Sequence, residues 1–550
     1  MSSLQKARGR VRCVLDLLPL RAPNYRNPRK KKMAGKLGSV CPCFGGKEKN
    51  DASLTKHETA HAGTGALSES MREWPKFEEK MRSEGLSDSA ISAFKANYRK
   101  LCAGDSGIVR EASIEPIKKL TSFETARSSH ETKDAAPLLA RTAVVKLNGG
   151  LGTSMGLNKA KSLLTIKDDA ARNSFLDLIA LQVKAMRSDH GSNLRFLLMN
   201  SFSTSDDCMH HLREHHPELL QPLNDSTSKN EQQVEFLQNK APKVKKETLE
   251  PAKHESDPSN EWNPPGHGDL YPALYGSGTL DQLLSDGVKY LFVSNSDNMG
   301  ATLDTDLLKH FADNDFPFMM EVCERTDSDK KGGHICRRAS DGRFVLREGA
   351  QCADADAAHF ADISKHKYFN TNNLWVNLKH LKQALEKNNG ALPLPLICNE
   401  KNIDPRDKKT PKVYQLETAM GAAIECFDNA SAVVVPRSRF APVKTTGDLF
   451  RLRSNAYSIT SKYTVQLEAK TPPAVELDED HYKKYDSMEA LVDSYPSLIN
   501  CSKLRVNGKV RFQSGIVFKG ICSVHNTTDD EQPLPPGEYA NANIELPSSG

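Results

Sequence analysis

The 550-residue sequence predicts an α/β fold, a mainly parallel sheet covered by helices, with a smaller strand-rich part after it. Three observations carry this. Strand-like and helix-like runs alternate from Thr142 to about Ser438. The run 142–147 has Ala143, Val144 and Val145 at its centre, the apolar stretch of a strand buried on both faces. That run ends in Gly149, Gly150, Gly152 and Gly156, at the kind of strand-to-loop junction where open α/β sheets bind ligands.

Composition narrows the function classes. Hydrophobic residues make up 38% of the chain and charged residues 26%, the balance of a globular protein. The net charge is +5, and much of the basic excess lies in the first 32 residues. The body therefore carries no large cationic field, and nucleic acid is not the expected partner. No apolar run approaches the ~20 residues of a membrane span. The twelve cysteines are scattered without CxxC pairs, which fits a reducing, cytoplasmic setting better than a disulfide framework.

Residues 1–68 are polar, basic and aperiodic, and read as a disordered extension. Their first 32 residues hold one acid, Asp16. They read either as an organelle transit peptide or as a plain extension, with Met33 a second candidate start. Cys41 and Cys43 alone are too little to assign S-acylation or a metal site. Residues 69–140 read as a helical segment. Ser87 is a good N-cap, and Ile91, Phe94, Tyr98 and Leu101 follow at helical spacing before Gly104.

The body then reads as helix 175–187, strand 194–199, short strand 234–237, helix 271–286, strand 290–294, helix 302–311, strand 316–322, a helix from about 416 and strand 432–435. His210, His211, His215 and His216 fall on one predicted helix, read as a solvated face rather than a metal site because no HExxH base lies between them. After about residue 477, short apolar stretches alternate with Gly508, Gly515 and Gly520, a pattern of small strands and turns.

The glycine loop is neither a GxxxxGK[ST] loop nor a GxGxxG loop. On spacing alone it is a tight turn or a phosphate cradle, with Lys159 and Lys161 available for charge. Gln238 closes a strand and on spacing alone reads as a plain polar strand-end residue, although its amide, both donor and acceptor, would suit a uracil edge. His267 stands between two glycines in PPGHGD, where a ligand has room to approach. Asp297, after a buried strand, reads either as a helix cap or as a hard oxygen ligand for Mg²⁺. Glu348, Asn370 and Asn372 are natural partners of sugar hydroxyls. Trp375 reads as core.

The string KLNGGLGTSMGL followed by AKS resembles the signature of the UTP–glucose-1-phosphate uridylyltransferase (UDP-glucose pyrophosphorylase) family. The likeness continues through QNKAPK, PPGHGD, SNSDN, REGA, FNTNNLW and SRFAPVKT. It implies a Rossmann-like, GT-A-like nucleotidyltransferase domain over 141–445, a C-terminal β-helix domain with its linker over 446–525, and a frayed tail over 526–550. It implies that UTP is bound by Leu147, Asn148, Gly149, Gly150, Lys161, Gln238, Gly266, Asp297 and Lys444. Glucose 1-phosphate would be bound by His267, Asn295, Ser296, Glu348, Asn370, Thr371, Asn372 and Phe440. Lys161 and Lys444 would be the catalytic pair, with Mg²⁺ on Asp297. The runner-up is a broad-specificity UDP-sugar pyrophosphorylase. The Asn370/Asn372 block favours an unsubstituted hexose. Oligomeric state, monomer or homo-oligomer, stays open.

Overall fold

Eight strands form the continuous path of the central sheet in the computed structural model, which describes residues 71–129, 133–167, 173–222 and 232–546. The expectations for residues 1–68 lie outside these. The strands are β1 (Thr121–Ser122), β2 (Thr142–Asn148), β3 (Arg195–Asn200), β4 (Glu235–Leu237), β5 (Tyr290–Asn295), β6 (Phe318–Glu324), β7 (Tyr368–Asn377) and β8 (Ser431–Val434). Their spatial order is β1-β8-β6-β7-β5-β2-β3-β4. All neighbours are parallel except that β7 runs antiparallel to both β5 and β6.

This one reversed strand matters for the site. Leu374 of β7 pairs with Val293 of β5, and Asn377 pairs with Tyr290. The first residues of β7, including Asn370 and Asn372, therefore lie beside the carboxyl ends of the parallel strands.

Alternation along β2 builds a core on each face of the sheet. Val144 packs with Phe175, Ile179 and Phe292, whereas Ala143 and Val145 pack with Leu270, Leu274 and Leu280. Helix α3 (Phe175–His190) covers the first face; α1 (Trp74–Ser83) and α2 (Asp88–Cys102) precede it in the chain. Ser174 and Asp177 close a capping box at the start of α3, and Gly191 ends it in the left-handed region at φ +56°. Each fully buried Leu, Ile or Phe here contributes roughly 1.5–3 kcal/mol of transfer energy.

The N-terminal segment is helical as expected, with Ser87 capping α2 through a 3.2 Å bond from the Ala90 amide. Phe77 and Tyr98 join the two helices, ring centroids 4.7 Å apart. The segment also supplies strands. Beyond β1, Ile114–Glu115 pairs with His334–Arg338, the outer arm of a hairpin with Phe344–Arg347.

Three expectations are corrected. The helix over 271–286 is two helices, Leu270–Gly276 and Thr279–Ser285, broken where Gly278 takes φ +76°. The helix from about 416 is strand Lys412–Glu417 followed by a 3₁₀ segment, Met420–Cys426. Pairing with Ile397–Asn402 decides this, because it buries Val413 and Leu416. The tail does not fray at 526. Gln532–Leu534, Gly537–Ala540 and Asn543–Leu546 are strands, with Leu534 and Leu546 buried.

The C-terminal strands β9 (Ala474–Leu477), β10 (Ser497–Asn507), β11 (Ile516–Asn526) and β12 (Gly537–Ala540) form one all-parallel sheet. Between them, Val510–Phe512 and Gln532–Leu534 pair in parallel as a second. Among the described residues no helix is long and apolar enough to cross a membrane.

Candidate active site

The glycine loop leaves β2 at the carboxyl edge of the sheet, and its neighbours fix it from below. The Asn148 amide donates to Asn200 Oδ1 at 2.8 Å and to Cys208 Sγ at 3.1 Å, so this side chain holds the loop rather than facing a ligand. Thr204 Oγ1 donates to the Asn148 carbonyl, and Ser201 Oγ to the Gly149 carbonyl. A Cβ on Gly149 would stand 2.8 Å from Gln238 Oε1. Gln238 Nε2 in turn donates to the Gly266 carbonyl at 3.0 Å. The loop, Gln238 and Gly266 thus meet.

Gly266 has φ +79°, and a Cβ there would lie 2.5 Å from the Thr418 carbonyl oxygen. Only glycine suits both demands. The next residue, His267, accepts the Met420 amide proton on Nδ1 at 2.9 Å. Its own proton therefore sits on Nε2. Burial, with the Lys444 charge beside it, lowers its pKa to about 4, so the ring is neutral at pH 7. It presents one N–H donor.

Lys161 follows the loop, its amide bonded to the Gly150 carbonyl at 3.0 Å. Its Nζ donates to Asp297 Oδ2 at 2.7 Å and also to the Val443 carbonyl. The Asp297 carbonyl accepts the Val443 amide. Asp297 is not the helix cap. With Ser205–His215 as helix α4 and Thr305–Asp313 as helix α5, the cap of α5 is Asp304, which accepts from the Asp306 and Leu307 amides. Asn295 ends β5, and the Ser296 amide bonds to the Leu147 carbonyl, so this segment lies directly against the end of β2.

The residues of the REGA and FNTNNLW blocks form another part of this edge. Between Asn370 and Asn373 two extra residues bulge from β7, and Asn372 takes the left-handed φ of +59°. Asn370 and Asn372 brace one another, Nδ2 to Oδ1 at 2.9 Å and the Asn372 amide back to Asn370 Oδ1 at 2.9 Å. Burial raises the pKa of Glu348, against the lowering pull of the Asn370 amide and the Lys444 charge. The Thr371 hydroxyl donates to the Glu321 carbonyl at 2.6 Å and accepts from the Asn373 amide, holding the bulge. Phe440 stands edge-on to Phe369, centroids 5.0 Å apart. Lys444 is exposed and opens the turn into helix Thr446–Arg453, yet its charge reaches both His267 and Glu348.

A family model described as UTP–glucose-1-phosphate uridylyltransferase matches residues 91–519. The chain belongs to the UTP–glucose-1-phosphate uridylyltransferase family. It is 37% identical to the Musa acuminata UTP–glucose-1-phosphate uridylyltransferase over 446 residues, covering 80% of this chain and 90% of that one. It is 38% identical to the Solanum tuberosum protein of the same name, covering 76% and 84%. Among solved structures, a UDP-glucose pyrophosphorylase from Leishmania major superposes with TM-score 0.79 at 43% identity, covering 86% of this chain and 99% of that one. A UDP-glucose phosphorylase from Trypanosoma brucei gives 0.77 at 42%, covering 88% and 100%.

Sequence reasoning missed what holds this uridylyltransferase-family loop in place. Arg439 makes a two-pronged ion pair with the buried Glu321, at 2.8 and 2.7 Å. Trp375 Nε1 and Asn373 Nδ2 also donate to Glu321. Asn298 Oδ1 accepts the Ala441 amide, and its Nδ2 donates to Asn373 and to the Arg439 carbonyl. The signal was present, since Glu321 is a carboxylate in the middle of the apolar strand FMMEVCE and required a partner. The histidine reading is half corrected. His210 and His215 are exposed, but His211 and His216 Nε2 lie 2.6 and 2.8 Å from Asp177 Oδ1 and fasten α4 to the start of α3.

Proposed function

We propose that the chain transfers a uridylyl group from UTP to glucose 1-phosphate. A phosphate oxygen of glucose 1-phosphate forms a bond to the α-phosphorus of UTP. The bond from that phosphorus to the α,β-bridging oxygen breaks, and pyrophosphate leaves with the electron pair. The observation that carries this reading is the meeting of the glycine loop, Lys161, Asp297, His267, Lys444 and Glu348 at one edge of the sheet.

Both reactants are anions, so charge neutralisation and positioning supply the rate. Lys161 faces the UTP phosphates, and Lys444 brings a second charge to the transferring group. His267 Nε2–H donates to a phosphate oxygen. Gln238 reads the uracil edge, and the glycine backbone admits the nucleotide closely. Glu348 and the braced Asn370/Asn372 pair receive sugar hydroxyls, with Phe440 as a wall.

Mg²⁺ belongs to the same proposal. One carboxylate beside a phosphate site suits this ion, which takes one or two carboxylates plus substrate oxygens. Asp297 offers Oδ1 while Lys161 engages Oδ2, so the donor set fits a single protein ligand. When bound there, Mg²⁺ would offset phosphate charge. We also read the stacked parallel strands after residue 474 as a short β-helix, supported by their uniformly parallel pairing across two sheets. A cytoplasmic setting is supported by the nine described cysteines, all of them free thiols.

The test is pyrophosphate release by the purified protein with Mg²⁺ and UTP across a panel of sugar 1-phosphates. Release with glucose 1-phosphate at least tenfold above the others supports the proposal. Equal release across the panel moves it to a broad-specificity enzyme. UTP binding without release removes the catalytic assignment.

A further inference from the structure

A cavity of about 210 Å³ lies under helix α3, away from the glycine loop. Ile179, Val183 and Met186 of α3 line it with Val144 of β2 and Leu303. The turn 460–464 roofs it, clasped to α3 by Gln182 Nε2 on the Tyr463 carbonyl at 2.7 Å and by Lys462 Nζ on Asp189 Oδ2 at 2.8 Å.

The buried Lys146 also lines this apolar space. Its Nζ donates to Ser294 Oγ at 2.8 Å and to the Ala301 carbonyl at 2.7 Å. An ammonium has three N–H donors. Among the described residues no carboxylate forms an ion pair with it. Glu321, whose charge favours it, is already held by Arg439, Trp375 and Asn373. Burial and the nearby Arg439 charge lower its pKa to about 7. A buried cation without a counter-ion, on the wall of an apolar cavity, is an unusual arrangement in a protein interior. The role of Lys161 and Lys444 in the proposed reaction does not use it.

We propose that this cavity binds a medium-chain monocarboxylate, its carboxylate on Lys146 and its alkyl chain along Ile179, Val183 and Met186. The donor set selects the class. A single lysine suits a monoanion rather than a phosphate dianion, which would call for more donors. The apolar walls call for hydrocarbon. Lys462 and Asp189, at the roof, satisfy one another and do not compete for the headgroup. The site would communicate with the reaction centre, because Ser294 immediately precedes Asn295 and Ala301 lies four residues after Asp297.

The experiment titrates the full-length protein with straight-chain carboxylates of four to ten carbons, and with alcohols of equal length, by calorimetry. The expected result is tightening of about fourfold per added methylene until the cavity is filled, with each alcohol at least tenfold weaker than its carboxylate. Lys146→Met should bring the carboxylates down to the level of the alcohols. Met186→Trp, which fills the cavity from α3 and leaves Lys146 intact, should abolish both, and it keeps the test decisive if the Lys146 variant does not fold. Alcohols binding as tightly as carboxylates would overturn the proposal. So would unchanged affinity in either folded variant, or no binding of any chain length at millimolar concentration.

Discussion

Lys161 Nζ donates a 2.7 Å hydrogen bond to Asp297 Oδ2, joining residues 136 apart in sequence. With its second bond to the Val443 carbonyl, one ammonium ties together the glycine loop, the loop after β5 and the loop that carries Lys444. A phosphate entering the site competes with that carboxylate for the lysine. Lys161→Ala should therefore lower kcat by about a hundredfold, the effect of losing one preorganised charge partner, with a much smaller change in Tm. Asp297→Ala releases the lysine to the nucleotide. UTP should then bind at least as tightly while kcat still falls about a hundredfold. Weakened UTP binding in proportion to the lost rate would show that Asp297 acts mainly in binding.

Gly333 faces the Glu348 carboxylate. A Cβ built there would lie 2.4 Å from Oε2 and 2.6 Å from Cδ, so Gly333→Ala must push the carboxylate aside. Loss of one charge-assisted hydrogen bond to a sugar hydroxyl should raise KM for glucose 1-phosphate about tenfold or more. KM for UTP should hold steady. Steady-state kinetics with each substrate varied in turn separates the two, and an equal rise in both would remove Glu348 from the sugar side.

What was legible in the sequence were the places where local chemistry and tertiary context agree. Residues 142–147 read as a buried strand and are one, because their apolar run suits no other position. Asp297 could not be separated from a helix cap by sequence, since both roles want a carboxylate before a helix. The structure separates them by giving the cap to Asp304. The segment from about 416 reads as a helix from its local sequence. Antiparallel pairing with the preceding strand, Ile397–Asn402, overrode that preference. The reversed direction of β7, which brings Asn370 and Asn372 to the site, is a property of topology that no local pattern encodes.

Arg439 and Glu321 offer a stability test. Glu321 is fully buried and receives four donor contacts, two of them from Arg439. Removing one member strands a charge in the core, so Arg439→Met should cost about 3–5 kcal/mol in urea unfolding. The pair Arg439→Met with Glu321→Leu should recover much of that loss, because no charge is left behind. Fully additive losses in the double variant would show that the ion pair is not the unit that holds the loop.

His334 should make stability depend on pH through its own burial. It is fully buried and stacked on His366 with centroids 4.1 Å apart, and neither ring nitrogen has a hydrogen-bond partner among the described residues. Burial, helped by the positive charges of His366, Arg325 and Arg347, lowers its pKa to about 2. The unfolded chain takes up this proton near the ordinary histidine value, whereas the folded chain does not. Its neutral form therefore favours the fold fully above pH 6.5, and that contribution falls steadily as acid is added. The loss from this one group should reach about 3 kcal/mol by pH 4. Asp269 and Glu425 act in the opposite sense over the same range, because burial raises their carboxyls to about 7. The decisive measurement is thus a difference. His334→Phe keeps a flat ring, leaves no donor unsatisfied and should be neutral or stabilising at pH 7. Its unfolding free energy should gain on the wild type by close to one proton's slope between pH 6.5 and pH 4. Parallel pH profiles for the two proteins would mean that His334 is protonated in the fold, with a partner other than its present neighbours.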